Sequence, residues 1–132
     1  MEHKAINPPE LFSGKAFSQT YSVCGAQRMI FVSGQVDCDC DGKVRNLDDL
    51  EAQLKGTLDN IEIALRAQGA SMHDLVHVTI YVVGLQPAQT TRIREIRSAY
   101  FHPERPPAVT LLGIERLAFE GLVVEVDVIA AR

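Results

Sequence analysis

One stretch near the end of the chain constrains the fold more than any other. From Leu122 to Ala130, the residues Leu122, Val124, Val126 and Val128 alternate with Val123, Glu125, Asp127 and Ile129. A period of two puts these sets on opposite faces of a β-strand. One face is wholly aliphatic and needs a covering layer, whereas the other mixes carboxylates with large aliphatics and does not suit burial under helices. Leu75 to Val83 repeats the pattern, with Val76, Val78, Ile80 and Val82 on one side and His77, Thr79, Tyr81 and Val83 on the other.

The covering layer is legible between and after these strands. Leu47, Leu50, Leu54, Leu58, Ile61 and Leu65 recur at three- and four-residue steps, the single apolar stripe of an amphipathic helix. Asn46 is the predicted N-cap, Asp48, Asp49 and Glu51 sit near the positive end of the dipole, and Gly69 supplies a left-handed stop. A second helix is predicted to begin near Pro87 and to run through Ile93, Ile96 and Tyr100 before Pro103 ends it.

Upstream, a Pro-containing arm (Asn7-Pro8-Pro9) precedes a strand in which Phe17, Gln19, Tyr21 and Val23 alternate with Ser18, Thr20 and Ser22. After a turn at Gly25, Met29 to Val36 is predicted to pair back on it. Val109 to Ile114 adds a strand before a connection containing Phe119 and Gly121. The expected order is ββαβαββ, an α+β domain over residues 1–132 with both helices packed on one face of the sheet. The other face would then expose Phe17 or Tyr21 with Tyr81, Val123 and Ile129, more apolar surface than a monomer leaves wet, so a closed homo-oligomer is expected.

Composition excludes some partners. The 132 residues are 46% hydrophobic and 23% charged, enough for one core, and the net charge of −4 comes with scattered basic residues, so nucleic acid is not an expected partner. No apolar run approaches the roughly 20 residues of a membrane span, and MEHKAINPPELF lacks the apolar segment of a signal peptide, so no membrane association and a cytoplasmic location are expected. Of the three cysteines, Cys38 and Cys40 are too close in sequence for an unstrained bridge, which favours free thiols.

Three segments together resemble a known family. FVSGQV (Phe31 to Val36), NIEIALRAQGASMHDLVHVTIYV (Asn60 to Val82) and RPPAVTLLGIERL followed by LVVEVDVIA (Arg105 to Ala130) are similar to RidA/YjgF proteins, also labelled L-PSP endoribonucleases. The resemblance implies a chorismate-mutase-like α+β fold, a homotrimer, and clefts between subunits that take a small-molecule ligand. It also implies hydrolysis of enamines and imines such as 2-aminoacrylate to keto acids and ammonia, with no cofactor and no metal. In active members an arginine in a P-A-R-S motif grips the substrate carboxylate, and a glutamate in the final E-I-E motif positions water.

Carried over by position, the glutamate matches Glu125, the strand serine and glycine match Ser33 and Gly34, and the aromatic matches Phe17, or Tyr21 if the register slips. The arginine falls on Val109 and its serine neighbour on Thr110. An Arg–carboxylate pair is worth roughly 1.5–3 kcal/mol per hydrogen bond, and valine supplies none of it. Arg94 on the second helix is the candidate substitute cation; Arg105 and Arg116, near turns, suit surface roles. The resemblance therefore leaves two readings, an imine or enamine hydrolase whose standard carboxylate substrates are in doubt, and a trimer that binds a small metabolite without turnover.

Other motifs carry less. Asp37-x-Asp39-x-Asp41-Gly42 followed by Val44 and Asp48 has the oxygen spacing of a calcium loop, but a strand precedes it where a helix is normal, and a solvated turn is the competing reading. Cys38-x-Cys40 lacks a second ligand pair. His3, His73 and His102 are dispersed, and His77 on its strand face reads as a packed or interface histidine. Ser33 has no nucleophile elbow around it, so ligand contact is its expected role. Ribonuclease action is not expected without a basic groove.

Overall fold

The computed structural model describes all 132 residues, and the Val/carboxylate strand lies inside its main sheet. This strand, β6 (Val124–Ala131), is flanked on both sides by antiparallel neighbours, β3 (Met29–Gln35) and β4 (Leu75–Val83). The edge strand β5 (Ala108–Ile114) runs parallel to β4, giving the order β3-β6-β4-β5. Parallel neighbours need a crossover, and α2 (Gln89–Ser98) provides it. The first helix, α1 (Leu50–Ala67), connects β3 to a short 3-10 turn (Met72–Asp74) ahead of β4.

Val124, Val126 and Val128 are buried, as the period of two requires, together with Ile30 and Val32 of β3 and Val78, Ile80 and Val82 of β4. Leu54, Leu58, Ile61 and Leu65 of α1 and Ile93 and Ile96 of α2 join the same core, so both helices cover one face of the sheet. Each fully buried aliphatic side chain contributes about 1.5–3 kcal/mol of transfer free energy. In β4 the register slips between Leu75 and His77, and this irregularity turns Leu75 into the core where simple alternation expects Val76.

The N-terminal part departs from the sequence expectation. The arm contains a strand, β1 (Glu2–Ile6), which pairs antiparallel with β2 (Thr20–Cys24) as a separate two-stranded ribbon. The chain therefore starts with three strands, and β3 pairs with β6 in place of β2. The reason is burial: β3 brings Ile30 and Val32 into the core beside β6, and Arg28 and Arg132 fix that register by exchanging backbone hydrogen bonds at 2.7 and 3.0 Å. Phe17 lies before β2, where the adjacent Ser18 bridges Ala108 in parallel along the outer edge of β5.

The start of α1 also differs. Asp49, not Asn46, is the N-cap, its side chain accepting from the Ala52 amide at 3.1 Å. Asn46 is drawn away because its Nδ2 donates to Asp37 Oδ2 at 2.7 Å, and it takes a left-handed φ of 51°. Leu47 is consequently exposed, outside the helical stripe. Asp37 is only 1% exposed; Arg45 Nε donates to its Oδ1 at 2.9 Å, and it fills the notch left by Gly56, where a Cβ would stand 2.2 Å from that oxygen. Buried Gln53 adds a second tie, donating to the carbonyls of Asn46 and Gly121 and accepting from the Val123 amide at 2.9 Å. Gly69 is left-handed at φ 70°, as expected for the end of α1. Helix α2 ends before Tyr100, whose hydroxyl donates to Asp59 of α1 at 2.8 Å.

Gly56 tests this packing. In an exposed helix interior Gly→Ala gains about 1 kcal/mol, but Gly56→Ala here is expected to cost about 1–3 kcal/mol through overpacking against Asp37. Asp37→Ala should remove that cost, so urea melts of the double variant should show coupling of about 1 kcal/mol or more. A stabilising Gly56→Ala would contradict the account.

Candidate functional site

The sheet face away from the helices is polar at its centre and apolar around it. Glu125 and Asp127 of β6 stand beside Tyr81 and Thr79 of β4, which are their respective cross-strand partners. Thr110 and Leu112 of β5 continue the rows opposite Thr79 and Tyr81. On the β3 side Phe31 is 74% exposed. The residues of these four strands that share this face include two carboxylates and no lysine or arginine.

Gly34 explains how Glu125 is held. A Cβ at position 34 would lie 2.8 Å from Glu125 Cδ and 3.1 Å from each carboxylate oxygen, so only glycine lets the acid lie over β3. Ser33, exposed, sits next to it at an irregularity in the β3–β6 register. None of the chain's ion pairs involves Glu125 or Asp127. Asp127 does have a neutral partner, since the Tyr81 hydroxyl donates to its Oδ2 at 2.8 Å. That hydrogen bond, then burial, then the Asp127 charge hold the Tyr81 phenol above its ordinary pKa. The Tyr81–Asp127 pair went unnoticed in the sequence although both residues lie on the face identified there; cross-strand register was the missing information.

The remaining candidates gather elsewhere in the chain. Ser18 fastens the Phe17 segment to the start of β5, its Oγ donating to the Pro106 carbonyl at 2.6 Å and its amide to that of Pro107 at 3.0 Å. Neighbouring Ala16, at a left-handed φ of 60°, offers its carbonyl to Arg97 of α2. Arg97 is 6% exposed, lies 5.5 Å from the Phe101 ring centroid and forms no ion pair; burial and then Arg94 lower its pKa to about 10. Half-buried Arg94 is thus near Arg97 and not on the face that bears Glu125. Val109 and Thr110 point opposite ways: Thr110 is exposed on the carboxylate face, whereas Val109 pairs with Val78 and packs against the core under the helices.

The sequence-predicted residues are therefore not gathered in one place: Ser33, Gly34 and Glu125 lie together, Thr110 shares their face two strands away on β5, Phe17 lies beyond the β5 edge, and Val109 and Arg94 belong to the helix side. Strand spacings put Phe17 on the order of 20 Å from Glu125 within one chain. A groove of about 490 Å³ between the starts of α1 and α2, lined by Glu51, Arg92, Leu54 and Ile93 among others, lies in the helix layer.

The acids of the Asp37–Asp41 loop are engaged in internal hydrogen bonds. Asp37 is turned inward to Arg45 and Asn46, while Asp39 Oδ1 accepts the amides of Asp41 at 3.0 Å and Lys43 at 2.9 Å. The Lys43 amide above all holds the Asp39 carboxyl below its usual range. No three His, Cys, Asp or Glu side chains converge as metal ligands anywhere in the chain. Cys24, Cys38 and Cys40 are unpaired, and no helix is long and apolar enough to cross a membrane.

Residues 10–132 match the protein family described as Endoribonuclease L-PSP. The chain belongs to this family, which includes the RidA/YjgF proteins. The crystal structure of YyfB from Yersinia pestis, a Rid-family protein of unknown function, superposes with a TM-score of 0.92 at 28% identity over 100% of both chains. A RutC family protein of Pyrococcus abyssi is 32% identical over 101 residues, 76% of each chain. TdcF of Escherichia coli K12, a candidate reactive intermediate deaminase by name, is 27% identical over 107 residues, 79% of each chain. The Rid-family likeness to YyfB extends over the whole length, including the β1–β2 ribbon.

The Tyr81–Asp127 contact makes a pH prediction. A phenol whose pKa is raised in the folded state contributes stability that is fully present below the unfolded value of about 10 and is lost as pH rises through the folded value. In an ultraviolet titration Tyr81 should ionise later than a free tyrosine, as should Tyr100, which burial and Asp59 push up to about 12. Asp127→Asn should return only Tyr81 toward the ordinary value; an unchanged curve would rule out the contact.

Proposed function

We propose that this Rid-family protein is a deaminase-type hydrolase of small imines, working in clefts between the copies of a homotrimer, on substrates that carry no carboxylate. The observation that carries this reading is the open sheet face with Glu125 and Asp127 and no lysine or arginine. At 4 Å and an effective dielectric of 20, two like charges repel by about 4 kcal/mol, so this face disfavours a substrate carboxylate and favours a protonated imine by a similar amount. Val109, where the family resemblance calls for arginine, offers no compensation.

In the proposed reaction Glu125 takes a proton from water as the oxygen attacks the imine carbon. The C–O bond forms, Glu125 returns the proton to the carbinolamine nitrogen, and as the C–N bond breaks the hydroxyl gives its proton to the Glu125 carboxylate, which passes it to the departing ammonia, leaving a carbonyl compound and ammonium. Ser33 and Gly34 form the floor under Glu125. Phe17 of a neighbouring copy, with its Thr110, closes the wall, because within one chain Phe17 lies too far from Glu125. Support for the trimer is the same face: Phe31, Ile129, Val123 and Leu112 leave an apolar margin around the acids that a second copy would cover. The family names of relatives support the reaction class, and three unpaired cysteines suit the cytoplasm.

Ammonia release tests this directly, using a carboxylate-free imine generated by an amine oxidase and, in parallel, 2-iminopropanoate formed from freshly generated 2-aminoacrylate. The parent should accelerate the first and not the second, and Glu125→Gln should lose about 100-fold or more. Val109→Arg would put its charge into the layer under the helices, so it should cost stability and add no activity on 2-iminopropanoate. A parent that already hydrolyses 2-iminopropanoate would overturn the substrate class, and loss of that activity in Arg94→Ala would assign the carboxylate grip to Arg94. Saturable binding without turnover of either imine would leave a metabolite-binding trimer.

A further inference from the structure

A cluster remote from Glu125 ties the N-terminal ribbon to the body. His3, the second residue of β1, places Nδ1 3.0 Å from the Tyr21 hydroxyl on β2. Arg105 Nη1 donates to the same hydroxyl at 2.9 Å and to the His73 carbonyl at 3.4 Å. His102 stands edge-on to His73 with ring centroids 5.2 Å apart, and its Nδ1 accepts the amides of Glu104 at 3.2 Å and Arg105 at 3.3 Å. Three of the chain's four histidines are thus gathered around one arginine.

The hydrogen-bond directions require a neutral His102, and the surroundings of His3 favour its neutral form. The Tyr21 oxygen accepts from Arg105, and its own proton is then free to go to His3 Nδ1 when that ring is neutral. His102 Nδ1 accepts two amides and must be bare. Protonation would turn His102 Nδ1 into a donor aimed at two amide donors, would leave the N–H at the buried His3 Nε2 without an acceptor, and would add positive charge beside Arg105. The buried Nε2 of His3 finds no partner in the chain to stabilise that charge. Facing His3 are the N-terminal amine, Tyr21 of β2, Arg105 and His102 of the loop after α2, and Asp74 of the 3-10 turn. Asp74 is the one acid among them, and its Oδ2 accepts the Ser71 amide and hydroxyl. Facing His102 are Arg105, His73 and Glu104.

We propose that this cluster is an acid-operated latch: protonation of His3 and His102 releases the β1–β2 ribbon from the body of the protein. Burial first, then Arg105, lowers the pKa of both histidines. A group with a lowered folded pKa binds fewer protons when docked. The latch is therefore fully closed above the free histidine value of about 6.5 and opens as pH falls through the folded value. The ribbon runs directly on from Ser18, which fixes the Phe17 segment, so release also loosens that edge of β5.

Amide hydrogen exchange at pH 7.5 and 5.0, corrected for intrinsic rates, reads this out on the intact protein. Protection of residues 2–6 and 20–24 should fall at least tenfold at the lower pH while the amides of α1 keep theirs. His3→Gln combined with His102→Gln should abolish the pH dependence, and His77→Gln should leave it intact. Equal protection at both pH values, or a fall that persists in the double variant, overturns the latch. Proton NMR titration of the parent histidines gives a variant-free check, because the opening midpoint must coincide with the titration of His3 or His102.

Discussion

The two-residue alternation of β6 underlies everything else. Val124, Val126 and Val128 must be buried, and burying them under α1 and α2 forces Glu125 and Asp127 onto the opposite face. A one-residue slip would put two carboxylates into the core at a cost of several kcal/mol each, so the hydrophobic register and the position of the acids are one constraint. Gly34 completes it by leaving room for the Glu125 side chain over β3.

From this constraint follows the separation of the candidate residues. Strand order places two strands, β4 and β5, between β6 and the Phe17 segment, and adjacent residues on β5 necessarily point to opposite faces. Thr110 therefore shares the carboxylate face while Val109 belongs to the core layer. A single copy carries two partial sites. An assembly in which the β5 edge of one copy meets the β3–β6 face of another would bring them together and cover Phe31 at the same time.

How far the sequence revealed this depended on whether a feature was local. The stripe of α1, the alternation of β4 and β6 and the left-handed Gly69 depend on neighbouring residues and were legible. β1 was missed because EHKAI is short and only His3 and Ala5 turn inward, a weak apolar signal. The N-cap of α1 was misplaced because Asp37, which recruits Asn46, reaches it across a fold that composition does not reveal. The expected β2–β3 hairpin failed for a similar reason: proximity along the chain favoured it, but core burial beside β6 prevailed. At the site, Glu125, Ser33 and Gly34 came from motif resemblance, whereas the Tyr81–Asp127 pair and the buried Arg97 depend on register and helix packing.

In the proposed assembly Phe17 and Glu125, distant within a chain, meet between chains, and cross-linking reports on that directly. In a background without the native cysteines, Phe17→Cys chains mixed with Glu125→Cys chains and treated with a short bis-maleimide should give covalent dimers in high yield. A chain carrying both substitutions, diluted to suppress association, should give no internal cross-link. Absence of mixed dimers at concentrations where the chains associate, or efficient cross-linking within single chains, would contradict the account.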